Sequence, residues 1–148
     1  MEYLTQILVA AVSVGVFGVV WDAPRQSLPY SALIGALSRL LYLLLKESGS
    51  LALATFCAAA TVTLCAQLFA RLLKMPATVF LIPALYLFVP GTSIYRSVFA
   101  LLHNAHSESM FYLNETIVIS GAIATAVFMV DSLFIIANQL RKQKERKS

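Results

Sequence analysis

Of the chain's 148 residues, 59% are hydrophobic and 12% charged, with a mean hydropathy of +0.81, which excludes an ordinary water-soluble domain and points to an all-α, polytopic membrane protein. The net charge of +4 does not mark a nucleic-acid partner, because five of the eleven Lys and Arg residues fall in the last eight positions, as a juxtamembrane tail. Ionisable residues otherwise lie mostly between or at the ends of apolar runs, so residues 1–148 read as a single transmembrane domain in contact with the lipid bilayer.

Five spans follow in order, over about 3–21, 29–45, 51–73, 76–102 and 113–137, with a basic tail at 138–148. The first places Tyr3 and Trp21 at its two ends, where interfacial aromatics belong, and its Ala11, Gly15 and Gly18 form a small-residue stripe for close helix contact. No Lys or Arg precedes this run and it is long enough to stay as a span, so it does not read as a cleavable signal. Asp22 to Arg25 makes a turn, and Pro29 suits the first turn of the second helix. Ser31, Gly35, Ser38, Arg39 and Tyr42 share one face of that helix, whose length of about 17 residues leaves a tilted span and an interfacial helix both open.

Lys46 to Ser50 is the next turn. The third span is rich in Ala, Thr and Cys and is expected to be buried among other helices. Its two cysteines, Cys57 and Cys65, lie roughly 12 Å apart along a helix, too far to bridge, and read as packing residues.

The fourth span, Met75 to Leu102, is interrupted by Pro83, Pro90 and Gly91. Pro90 removes a backbone hydrogen bond and clashes with the carbonyl at Tyr86, so the helix is expected to bend or break at Val89-Pro90-Gly91. At membrane depth such a break is tolerated where it is buried in protein or lines a wet cavity, and broken helices build the substrate sites of many transporters. A second half-helix starting at Thr92 or Ser93 would aim its first N–H groups at the break, with Arg96 a turn further on. That arrangement suits a carboxylate, and Pro90, Gly91, Thr92, Ser93, Tyr95 and Arg96 are the candidate substrate-binding residues. The competing reading is a proline-kinked structural helix.

His103 to Tyr112 reads as a solvated loop, and His103, His106 and Glu108 are too few ligands for a metal site, so no metal or cofactor is expected. Asn114 to Thr116 matches a glycosylation sequon, meaningful only in a eukaryotic secretory pathway. In the fifth span Ser120, Ala124 and Asp131 fall on one stripe expected to face the bundle interior. With five spans and the tail inside, eight Lys or Arg lie on the cytoplasmic side and only Lys46 outside, giving an N-out, C-in orientation.

No set of nucleophile, base and oxyanion donors is visible, so the chain does not read as an enzyme. Charges within spans are expensive, about 2.5 to 3.5 kcal/mol on insertion scales, and each needs a partner, a cavity or a function. Arg39, Arg96 and Asp131 are these residues. Arg96 and Asp131 either pair across helices, or Arg96 holds an anionic substrate while Asp131 couples export to protons.

Pro76-Ala-Thr-Val-Phe-Leu-Ile-Pro83 followed by Val89-Pro90-Gly91-Thr-Ser-Ile-Tyr95-Arg96 resembles the C-terminal membrane half of the threonine/serine exporter family. The likeness extends along nearly the whole chain, through Gly35-Ala-Leu in the second span and the alanine-rich third. Family members often have glycine at the position of Ala84 and proline at that of Leu87. The resemblance implies a small membrane subunit of a two-component secondary exporter in a bacterial inner membrane, partnered by a larger membrane subunit of the same family. Its substrates would be small carboxylate metabolites, either threonine and serine or succinate-like dicarboxylates. A non-transporting scaffold that stabilises a larger membrane partner is the alternative, and self-association into a homo-oligomer stays open.

Overall fold

The computed structural model describes residues 2–47 and 49–147, and these form helices joined by short turns, with no strand among them. Helix α1 spans Glu2–Val20, α2 Leu28–Lys46 and α3 Leu51–Leu73. A bent pair follows, α4 (Thr78–Leu85) and α5 (Gly91–Leu102), separated by a 3₁₀ turn at Tyr86–Phe88, and α6 runs from His106 to Lys147. Four helices are long and apolar enough to cross a membrane, and the bent pair makes a fifth span if it counts as one. At 19 residues α2 is among the four.

The turns explain where the helices stop. After α1, α3 and α5 the chain enters the left-handed region at Asp22, Lys74 and Asn104, with φ of 53°, 54° and 58°. Each time the next amide reaches back five residues, Ala23 to Gly18, Met75 to Ala70 and Ala105 to Ala100, all at 2.9 Å. This is the Schellman arrangement, which satisfies carbonyls that a helix end would leave bare. At the other end of α3, the Ser50 hydroxyl caps the Leu53 amide at 3.4 Å.

Helix α3 is central, packed on α2, α4 and α6. Its Ala54, Ala58, Ala59, Ala66 and Ala70 are buried, and their small side chains let neighbouring backbones approach. Val62, Phe80, Ala84, Phe88, Val14 and Ile34 complete the core. The outer faces carry leucines and valines such as Leu4, Leu8, Val12 and Val16, as lipid contact requires.

Three expectations are corrected here. On α1 the close-contact face is Ala10, Val14 and Gly18 rather than the stripe through Gly15. A Cβ on Gly15 would meet nothing within 4 Å, whereas one on Gly18 would sit 2.8 Å from Leu28 Cδ2. On α6, Ser120 and Ala124 are exposed and do not face the interior, while Asp131 on the same stripe is half-buried.

The third concerns His103 to Tyr112, where only the first three residues form a turn and α6 begins at His106. No proline or glycine interrupts that stretch, and Glu108 in its first turn favours the helix dipole. Buried Ser97 of α5 bonds to Ser109, both to its carbonyl (3.0 Å) and its hydroxyl (3.3 Å), which fixes this end of α6 against its neighbour. The sequon residues Asn114 to Thr116 lie within α6.

Candidate functional site

The fourth span breaks where expected. Helix α4 ends at Leu85, the chain tightens into the 3₁₀ turn, and Val89 is extended with ψ of 128° before α5 resumes at a bend of 43°. The first bond closing α5 runs from the Ile94 amide to the Pro90 carbonyl at 3.0 Å, so the Thr92 and Ser93 amides ahead of it are donors of the kind every helix start leaves unpaired. The break is held in place by aromatic contacts. Tyr86 lies against Phe17 of α1 (4.2 Å between ring centroids), and Phe88 against Tyr42 of α2 (5.8 Å).

A cavity of about 600 Å³ adjoins the break. Val89, Pro90, Thr92, Ser93 and Arg96 line it from the broken span, Arg39, Tyr42 and Lys46 from α2, and Tyr112 and Glu115 from α6. Gly49 and Leu51 also line it, so it sits at the end of the bundle that carries the α2–α3 turn.

Its cations lie against aromatic faces. The Arg39 guanidinium donates to Gln6 Oε1 at 2.8 Å and lies 5.2 Å from the centre of the Tyr42 ring, which the Lys46 ammonium also approaches at 5.9 Å. The Arg96 guanidinium lies 5.5 Å from the Tyr112 ring centre. The Ser93 hydroxyl donates to Glu115 Oε2 at 3.1 Å. Arg96 and Tyr112 also border a second cavity of about 400 Å³ that includes His103 and Glu108. His103 there turns its Nδ1 to the Phe99 carbonyl at 2.9 Å.

Among the candidate residues, Pro90, Thr92, Ser93, Arg96 and Arg39 converge on one space. Gly91 and Tyr95 do not line it, and Tyr95 is exposed and stacked on Phe99 at 6.0 Å. Asp131 is elsewhere, accepting from Gln67 Nε2 of α3 at 2.7 Å, so it does not pair with Arg96. Lys46, Tyr112 and Glu115 are cavity residues that sequence reading did not single out. The three-residue spacing of Tyr112 and Glu115, which puts both on one face of a helix, is the signal that could have found those two.

The chain thus combines apolar, membrane-length helices with a span broken beside a cavity that Arg39, Lys46 and Arg96 line. The family model described as threonine/serine exporter, ThrE, matches residues 6–133, and with them every cavity residue named above. No curated protein and no solved structure matches the chain. The match covers all but the two ends, from α1 to beyond Asp131, so this multi-pass membrane protein belongs to the threonine/serine exporter family.

Proposed function

We propose that the chain is the small subunit of a two-component secondary exporter of small carboxylate metabolites, threonine and serine or succinate-like dicarboxylates. The observation that carries this reading is the cavity at the broken span, where the Arg96 guanidinium and the free amides of Thr92 and Ser93 border one space. Backbone donors at a helix start together with a planar guanidinium favour a carboxylate, whose two oxygens can each accept a charge-assisted hydrogen bond. A scaffold needs no such space. Pro90 contributes by ending one helix and starting the next, Gly91 by opening the first turn of α5, Tyr95 by stacking on Phe99 beside the cavity, and Arg39 by adding positive potential from α2.

The remaining parts of the reading extend from sequence. A larger membrane subunit supplies the other half of the transporter, and the exposed small residues Ser120, Gly121 and Ala124 of α6 offer a face for close helix contact. The distribution of Lys and Arg supports an orientation with the N-terminus outside and the C-terminus inside, and the family resemblance supports a bacterial inner membrane as the location of the pair. In that orientation the cavity lies toward the outer side, as for release of exported substrate. Asp131 is the residue assigned to proton coupling.

The test is export of labelled serine, threonine and succinate from proteoliposomes holding this chain with and without the larger subunit. Export that needs both subunits and falls in Arg96→Gln supports the reading. Export by the larger subunit alone at the full rate would reduce this chain to a scaffold.

A further inference from the structure

Glu115 has no role in the reading above, yet it is the one carboxylate among the residues lining the main cavity, in the company of Arg39, Lys46 and Arg96. It is half-buried, its Oε2 takes the Ser93 hydroxyl at 3.1 Å, and among the described residues it makes no ion pair with any of the three cations. The cations are not equivalent. Arg39 is tied to Gln6 and to the Tyr42 ring, and Lys46 is exposed at the α2–α3 turn. Among the described residues Arg96 meets only the face of Tyr112, so its guanidinium N–H groups are available.

Arg96 and Glu115 stand on neighbouring rungs of the antiparallel α5–α6 seam. Ser93 faces Glu115 on one rung and Arg96 faces Tyr112 on the next. Three residues on each helix separate them, a rise of about 4.5 Å. The seam therefore presents a cationic pole and an anionic pole one helical turn apart on a single cavity wall.

Resting on the cavity's being the substrate site, we infer that Glu115 is its specificity-determining residue: it receives the ammonium of an α-amino acid whose carboxylate is held by Arg96. An α-amino acid carries its two charges on adjacent groups and spans both poles with charge-assisted hydrogen bonds. A dicarboxylate of similar size would bring its second carboxylate against Glu115, and a hydroxy acid would leave Glu115 without a counter-charge. The residue selects by rewarding one ligand and repelling another.

The experiment uses the full chain assembled with the larger subunit in lipid nanodiscs and measures binding of L-serine, glycerate (a hydroxyl replacing the ammonium of serine) and succinate by titration calorimetry. Wild-type protein is expected to bind serine at least tenfold more tightly than glycerate. Glu115→Gln should lose at least tenfold in serine affinity while glycerate and succinate hold or gain, and Glu115→Asp should restore the preference for serine. Should Glu115→Gln not fold, Ser93→Ala removes the hydroxyl that positions the carboxylate and should narrow the serine-to-glycerate ratio. A ratio near one in wild-type protein, or one unchanged in Glu115→Gln, overturns the inference about Glu115. It leaves the carboxylate site standing if Arg96→Gln weakens all three ligands. No binding to wild-type protein, or full binding in Arg96→Gln, overturns the substrate-site reading itself.

Discussion

The side-chain amide of Gln67 donates to Oδ1 of Asp131 across 2.7 Å, which joins α3 to α6 and leaves Asp131 with a neutral partner instead of a cation. Asp131→Asn keeps an oxygen acceptor for Gln67, so the fold and substrate exchange should persist while the gradient-driven component of export is lost. Asp131→Leu leaves the Gln67 amide unpaired and should cost about 1 to 3 kcal/mol. Charge reversal of Arg96 and Asp131 together should give no rescue over the single variants, because the two do not touch. Thermal unfolding in detergent and counterflow against proton-driven flux in liposomes separate these outcomes.

Helix α2 meets α1 through Gly35, where an added Cβ would lie 2.7 Å from Val14 Cγ2 and 3.1 Å from the Ala10 carbonyl oxygen. Gly35→Ala should destabilise by about 1 to 3 kcal/mol, since the obstruction includes backbone that cannot yield without moving a helix. Gly15→Ala on the facing helix is the control: with open space around it, the change should be neutral or stabilise by up to about 1 kcal/mol. Melting temperatures of the two variants, compared in the same detergent, check this.

Closing the break should separate stability from transport. Nothing lies within 4 Å of a Cβ on Gly91, so Pro90→Ala with Gly91→Ala is accommodated and favours continuous helix, raising stability or leaving it unchanged. Efflux should fall. Full efflux from the double variant would make the break a structural kink without a part in transport.

Arg96→Lys keeps a positive charge but loses the planar fork, and should weaken carboxylate binding by about tenfold, the order of one lost charge-assisted hydrogen bond. Arg39→Lys should weaken substrate binding less, because Arg39 is already tied to Gln6 and Tyr42. Equal losses at the two positions would move the carboxylate site toward α2.

Ser31 is fully buried on α2 and its hydroxyl has no hydrogen-bond partner among the described residues. Ser31→Ala removes the unpaired group at little change in shape, and should stabilise by about 1 kcal/mol, read as a higher melting temperature.

What could be read from sequence is what local chemistry decides. The ends of α3 at Leu51 and Leu73 were legible because Ser50 is a helix-capping residue and the polar turns lie immediately outside. The break at Val89-Pro90 was legible because proline excludes a hydrogen bond whatever surrounds it. Helix rotation was not legible on α1, where Ala11-Gly15-Gly18 and Ala10-Val14-Gly18 are both helical stripes and only the position of Gly35 and Leu28 selects the second. The same holds for the start of α6. His106 to Tyr112 looks like solvated loop until Ser97 supplies a partner for Ser109. Glu115 was hidden for a different reason: in sequence it is the middle residue of a sequon, and its neighbours in the cavity come from α2 and α5.

The length of α6 sets how far it reaches past the membrane. Its 42 residues extend for about 63 Å, well beyond the roughly 45 Å of a bilayer with its headgroups. Asp131 stands sixteen residues from Glu115 and sixteen from Lys147, about 24 Å each way. The Gln67 contact thus lies midway between the cavity wall at Glu115 and the far end of the helix at Lys147. With Ser93 on Glu115 and Ser97 on Ser109 at one level and Gln67 on Asp131 at another, α6 is tied to its neighbours at both ends of the stretch that carries the cavity wall.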